Sequence, residues 1–168
     1  ASNYAFTGTV TGASPITESD MFRTNATTTL SDDTDTLITA WARNTPGTKI
    51  GTGMSVSSGT WTFPSTGIYK IDVSFNLASS NATRFIFASI QKTSNNSSYT
   101  EFAKGYANIY RPSSTWWNAV QVSIIFDCTD TTNDKIRIYC KSNFGLEVSG
   151  GTGDFSHGRA IFTRIGDT

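Results

Sequence analysis

Histidine occurs once, cysteine twice and proline four times in these 168 residues, and charged side chains make up 15% of the chain. Each scarcity removes a class of function. With His157 as the sole imidazole and no Gly-x-Ser-x-Gly elbow, a base-and-nucleophile pair for acyl transfer has little to be built from. Two cysteines and one histidine are too few for a structural zinc site. The 13 basic residues balance the 13 acidic ones and stand singly among Ser, Thr and Asn, so no basic face for phosphate binding forms. The longest strongly apolar run, residues 120–126, is broken by Gln121 and Ser123. It falls far short of the roughly 20 residues of a membrane-spanning helix. The sequence opens at Ala1 without a charged, apolar leader, which fits a leader already removed or export by another route. A non-enzymatic protein is expected, without nucleic acid or membrane insertion among its roles.

The two cysteines are read as reduced, buried thiols. If the turn falls at residues 129–134, Cys128 ends one strand and Cys140 lies ~17 Å along the next, beyond disulfide reach.

What the chain does contain is strand chemistry. Thr, Val, Ile, Phe, Tyr and Trp recur in short runs divided by Gly, Asn, Ser and Asp. Over residues 68–77 the apolar Tyr69, Ile71, Val73, Phe75 and Leu77 alternate with Lys70, Asp72, Ser74 and Asn76, a strand with one buried face. Residues 119–128, 135–141 and 158–165 repeat that period. Weaker strands are predicted over 37–43, 59–63, 84–91 and 99–110. Eight or so short strands divided by turn signals imply an all-β sandwich or barrel. The run Phe85, Ile86, Phe87, Ala88 and Ile90 is apolar on both faces, so its second face is expected to need a partner. Residues 1–35 differ, being small, Thr-rich and punctuated by glycine. Two readings stand for them, an attachment arm or a disordered terminus, with the main domain over 36–168.

The segment Trp61-Thr62-Phe63-Pro64-Ser65-Thr66-Gly67-Ile68-Tyr69 resembles the signature of the complement C1q and tumour necrosis factor-like jelly roll. In that pattern an aromatic strand end and a Pro turn lead into Gly-x-Tyr at the start of the central strand. Phe75, the Asn133-Asp134-Lys135-Ile136 turn and strand, and a closing Phe155-Ser156 before Gly158 match in order. The resemblance spans about residues 36–166 and departs from the pattern at His157 and in lacking a collagen-like stalk. It implies a jelly-roll sandwich of two antiparallel sheets and a homotrimer. Residues 3–12 are similar to short segments that precede head domains in phage tail fibres. Together these imply a virion protein that decorates a capsid or forms a fibre or tail-tip head, held to other virion proteins by its arm. The alternative is a receptor- or glycan-binding head, a host adhesin or secreted lectin.

Among candidate sites, the aromatics beside a loop carry the binding chemistry, because sugars present flat apolar faces to exposed rings. Trp116 and Trp117 follow Arg111, with Tyr106 and Tyr110 nearby. One of the two tryptophans should point outward; the competing reading places both over the barrel end or in a trimer interface. Asp127, Asp130 and Asp134 fall around one turn and are the candidate calcium ligands. The denser Asp32, Asp33 and Asp35 cluster reads as solvated loop charge. No cofactor is implied.

Overall fold

The computed structural model describes residues 16–43, 49–79, 83–110, 116–150 and 157–168, and the side chains of residues 78, 79 and 116 are not described. Every regular element among the described residues is a strand: β1 (Ser19–Thr24), β2 (Thr28–Leu30), β3 (Thr36–Leu37), β4 (Trp41–Arg43), β5 (Lys49–Ile50), β6 (Ser55–Ser57), β7 (Thr60–Thr62), β8 (Gly67–Ser79), β9 (Thr83–Thr93), β10 (Thr100–Ile109), β11 (Trp116–Cys128), β12 (Lys135–Ser142), β13 (Leu146–Val148) and β14 (Gly158–Gly166).

They form two antiparallel sheets. In the first, β8 pairs with β11 along one side and with β14 and β13 along the other; β14 continues to β1 and then β4. In the second the order is β10-β9-β12-β7-β6, with β3 also on β12. The period-two pattern decides which face is inside. Tyr69, Ile71, Val73, Phe75 and Leu77 of β8 and Val120, Val122, Ile124 and Phe126 of β11 are buried against Ile86, Ile90, Ile136 and Ile138 of the opposite sheet. Burying each such side chain contributes about 1.5–3 kcal/mol.

Trp61 of β7 centres an aromatic cluster. Its ring lies 4.7 Å from Phe22, 5.4 Å from Trp41 and 4.7 Å from Phe162, tying the second sheet to three strands of the first. Trp41 enters it indole-first, Nε1 donating to the Ile38 carbonyl at 2.8 Å.

Two turns explain the local sequence. Ser58 and Gly59 both have positive φ, 47° and 76°, the two-residue hairpin geometry that matches strand twist, and they join β6 to β7. Gly67 has φ 141°, and a Cβ there would lie 2.3 Å from Arg164 Nε, so glycine is required where the family-like segment enters β8. Two residues on, Tyr69 donates its hydroxyl to the Ser65 carbonyl at 3.0 Å and fixes that turn.

Two expectations are corrected. Residues 19–30 are not an arm: β1 lies between β14 and β4 inside the first sheet, and β2 pairs with β13. Their polar composition hides the reason. Phe22 and Leu30 enter the core, and Asp20, 1% exposed, takes the Arg43 guanidinium at 2.9 and 2.8 Å and the Met54 amide at 2.9 Å. Residues 1–15 lie outside the described part. The strand expected over 37–43 is two strands in different sheets, because the chain crosses the sandwich between them. Ile38 is buried in the crossing, its amide donating to the Ile138 carbonyl at 3.0 Å.

Cys128 and Cys140 are unbridged and buried. Burial pushes their thiols up to about 11 and about 12 respectively. Both are inert at neutral pH.

Candidate functional site

The site lies where the sandwich closes at the β10–β11 edge. β10 belongs to the second sheet and β11 to the first, and they meet without ladder pairing. Their closeness depends on Gly105, where a Cβ would lie 1.7 Å from the Gln121 carbonyl oxygen. Nearer the end of the edge, Asn118 Nδ2 donates to the Asn108 carbonyl at 2.5 Å.

Around this seam large rings face solvent. Tyr106 is 70% exposed, Tyr110 81% and Trp117 55%. Tyr110 and Trp117 flank a cleft of about 210 Å³ completed by Asn108, Ile109 and Asn118. The Trp117 ring stacks on His157, 5.3 Å between centroids at 22°, and the His157 carbonyl accepts from the Asn76 amide at 2.6 Å. The structure therefore brings Tyr110 and Trp117 together, with Trp117 outward. Arg111 and the Trp116 side chain fall outside the described residues.

Asn108 also lines a second cleft, of about 350 Å³, with Arg84, Phe85, Tyr106 and Ala107. No feature of the sequence marks this cleft. The second face of β9, expected to need a partner, receives much of its cover from the chain's own β10. Tyr106 sits opposite Phe87 in register and packs edge-on to it at 4.6 Å, Phe85 stacks on Phe87 at 4.5 Å, and Lys104 Nζ lies 5.2 Å over the Phe87 ring.

On the far side of β11, the outer face of the first sheet holds a polar groove of about 250 Å³ lined in part by the half-buried Ile161; Ile125 stands exposed opposite Lys70 of that groove, and Ile165 is exposed at the bulge of β14. At the groove's floor Lys70 and Asp72 pair at 3.1 Å, and Ser123 Oγ donates to Asp72 at 2.6 Å.

The expected calcium ligands are not brought together. Asp134 Oδ2 accepts from the Thr129 and Asp130 amides at 2.7 and 2.8 Å, and Asp130 Oδ1 accepts from the Thr132 amide at 2.8 Å. Hydrogen bonds from the Asn133 side chain, then the Thr132 amide, hold the Asp130 carboxyl below its ordinary range. Asp127 points to solvent from β11. These carboxylates organise a turn, and among the described residues no group of three or more His, Cys, Asp or Glu could hold a metal. In the other acidic cluster Asp33 pairs with Lys141 at 2.9 Å.

Two antiparallel sheets in this order define a jelly-roll sandwich. No protein-family model and no curated protein sequence matches the chain. Among solved structures, it is similar to Eiger TNF from S. frugiperda, with TM-score 0.65 and 13% identity over 92% of this chain and 96% of that one. It is also similar to murine APRIL at pH 8.0, with TM-score 0.60 and 13% identity over 88% of this chain and 98% of that one. The fold is a tumour necrosis factor-like jelly roll.

Proposed function

We propose that the chain is a non-enzymatic, ring-forming head module, a homotrimer that decorates a virion or forms the head of its fibre or tail tip. The observation that carries the reading is a pair of unlike surfaces flanking β11, each with large apolar side chains exposed on it. One is the β10 edge, with exposed Phe102 and Tyr110; the other is the first sheet's outer face, with Ile125 and Ile165, and Trp117 stands at the corner. A two-fold contact uses one patch twice, whereas a closed ring needs two different patches on each subunit, edge on face. Exposed apolar area of this kind on both sides of one strand fits such an arrangement.

The virion setting is supported by the likeness of residues 3–12 to segments preceding phage fibre heads, and by a surface that is polar yet carries no net charge. An antibody raised against the chain should label discrete sites on purified particles. Label confined to cell surfaces or soluble fractions would favour the receptor- or glycan-binding alternative. Ring closure is tested separately: Ile125→Asp places a charge in the face and should reduce the solution mass to that of one chain, with the circular dichroism spectrum unchanged. An Ile125→Asp protein that keeps the wild-type mass contradicts the edge-on-face arrangement.

A further inference from the structure

We infer that the cleft between the starts of β9 and the end of β10 is a binding site for an acidic saccharide, a sugar bearing a uronic- or sialic-type carboxylate. The site lies on the outer face of the second sheet, which points away from the first sheet's isoleucine face. It does not rest on the ring reading.

Four features argue for this ligand. The first is a ring platform. Tyr106 is 70% exposed, yet it is held in place by its edge contact with Phe87, which is itself stacked on Phe85. A fixed, solvent-facing ring suits the C–H face of a pyranose and loses little conformational entropy on binding. The second is size: about 350 Å³ lies within the range of small-ligand sites.

The third is charge. Arg84 is the one charged residue in the lining, and no carboxylate lines the cleft among the described residues. The nearby Lys104 is matched by Glu101 at 2.6 Å, which leaves Arg84 as the net local charge. A guanidinium fork at the rim takes a carboxylate through two parallel hydrogen bonds. The fourth is the amide of Asn108, a donor and acceptor beside the platform for sugar hydroxyls. The backbone beneath is anchored as well, because the Phe85 amide donates to Asn143 Oδ1 at 3.0 Å. A neutral sugar would leave Arg84 unused, and a flat apolar ligand would leave Asn108 unused.

The test is calorimetric titration of the full chain with a galacturonate tetrasaccharide and with sialyllactose. The methyl-esterified tetrasaccharide and lactose serve as neutral counterparts. Saturable binding is expected for at least one acidic probe, about tenfold tighter than for its neutral counterpart. Tyr106→Ala should weaken the acidic probe by about tenfold or more, and Arg84→Gln should bring acidic and neutral probes to equal affinity. Both side chains are exposed, so the circular dichroism spectrum should stay that of the wild type. The inference is overturned by the absence of saturable binding to either acidic probe, or by affinity that both substitutions leave unchanged. It is also overturned if Tyr106→Ala lowers the solution mass, which would make the platform a contact between copies. An Ile125→Asp protein that keeps the wild-type mass and still binds saccharide would defeat the edge-on-face reading and leave this one standing.

Discussion

The chain uses aromatic side chains in two regions under opposite rules. In the interior, Trp61, Trp41, Phe22, Phe75 and Phe162 interlock across both sheets and are cut off from water. At the β10–β11 edge, Tyr106, Tyr110 and Trp117 stand mostly in solvent. The first set closes the sandwich by burial. The second gains little from the fold of its own chain, so exposing it is a cost that a partner or ligand would offset. Function therefore belongs to the exposed set, and substitutions in the two regions should separate stability from association.

The largest effect is expected at the centre of the buried set. Trp61→Ala removes the ring that joins β7 to β1, β4 and β14, and should lower unfolding free energy by about 3–5 kcal/mol in urea titration. Next comes Asp20→Ala, about 2–3 kcal/mol, because it strips the Arg43 guanidinium and the Met54 amide of their shared acceptor. That size of effect also distinguishes a strand from an arm at residues 19–24, since deleting a charge on a loose arm would be nearly silent.

β1 shows how far the sequence could be read. The central strands β8 and β11 were legible because their apolar residues alternate over nine positions, 69–77 and 120–128, and β12 and β14 show the same period over shorter runs. β1 offers Phe22 as its one large buried side chain and meets the core otherwise through Asp20 and Thr24, a polar pairing that no periodicity reveals. β2, β5, β6 and β13 are too short to set up a pattern. At the edge, Tyr110 and Trp117 could be found because they stand only seven residues apart in the sequence. The Arg84, Phe85 and Tyr106 cleft could not, since it forms when β9 and β10 pair in a register that places Tyr106 opposite Phe87. The acidic turn misled for a related reason. Asp130 and Asp134 spend their oxygens on backbone amides, which spacing alone does not distinguish from ligating a metal.

Between the two regions lies Gly105, whose substitution joins them. Gly105→Ala drives a methyl group into the Gln121 backbone, so it should cost about 1–3 kcal/mol and should also part β10 from β11 at the edge. A smaller, pH-gated loss is expected from the buried thiols. Their folded pKa values are raised from 9.0 to about 11 and about 12, so the unfolded chain releases these protons first. The contribution is therefore intact below pH 9 and falls as pH rises through 9 to about 11 for Cys128 and to about 12 for Cys140, a decline that should shrink in Cys128→Val under the same urea titration. Smallest of all, Trp117→Ala and Tyr110→Ala should shift monomer stability by no more than about 0.5 kcal/mol while weakening self-association.

If the exposed edge and the isoleucine face close one ring of three, the chain must be trimeric in solution. Static light scattering on the full chain measures it directly. A mass three times that of one chain is expected, unchanged over a tenfold range of micromolar concentration; a mass of one chain across that range would contradict ring closure and leave the chain a solitary binding domain.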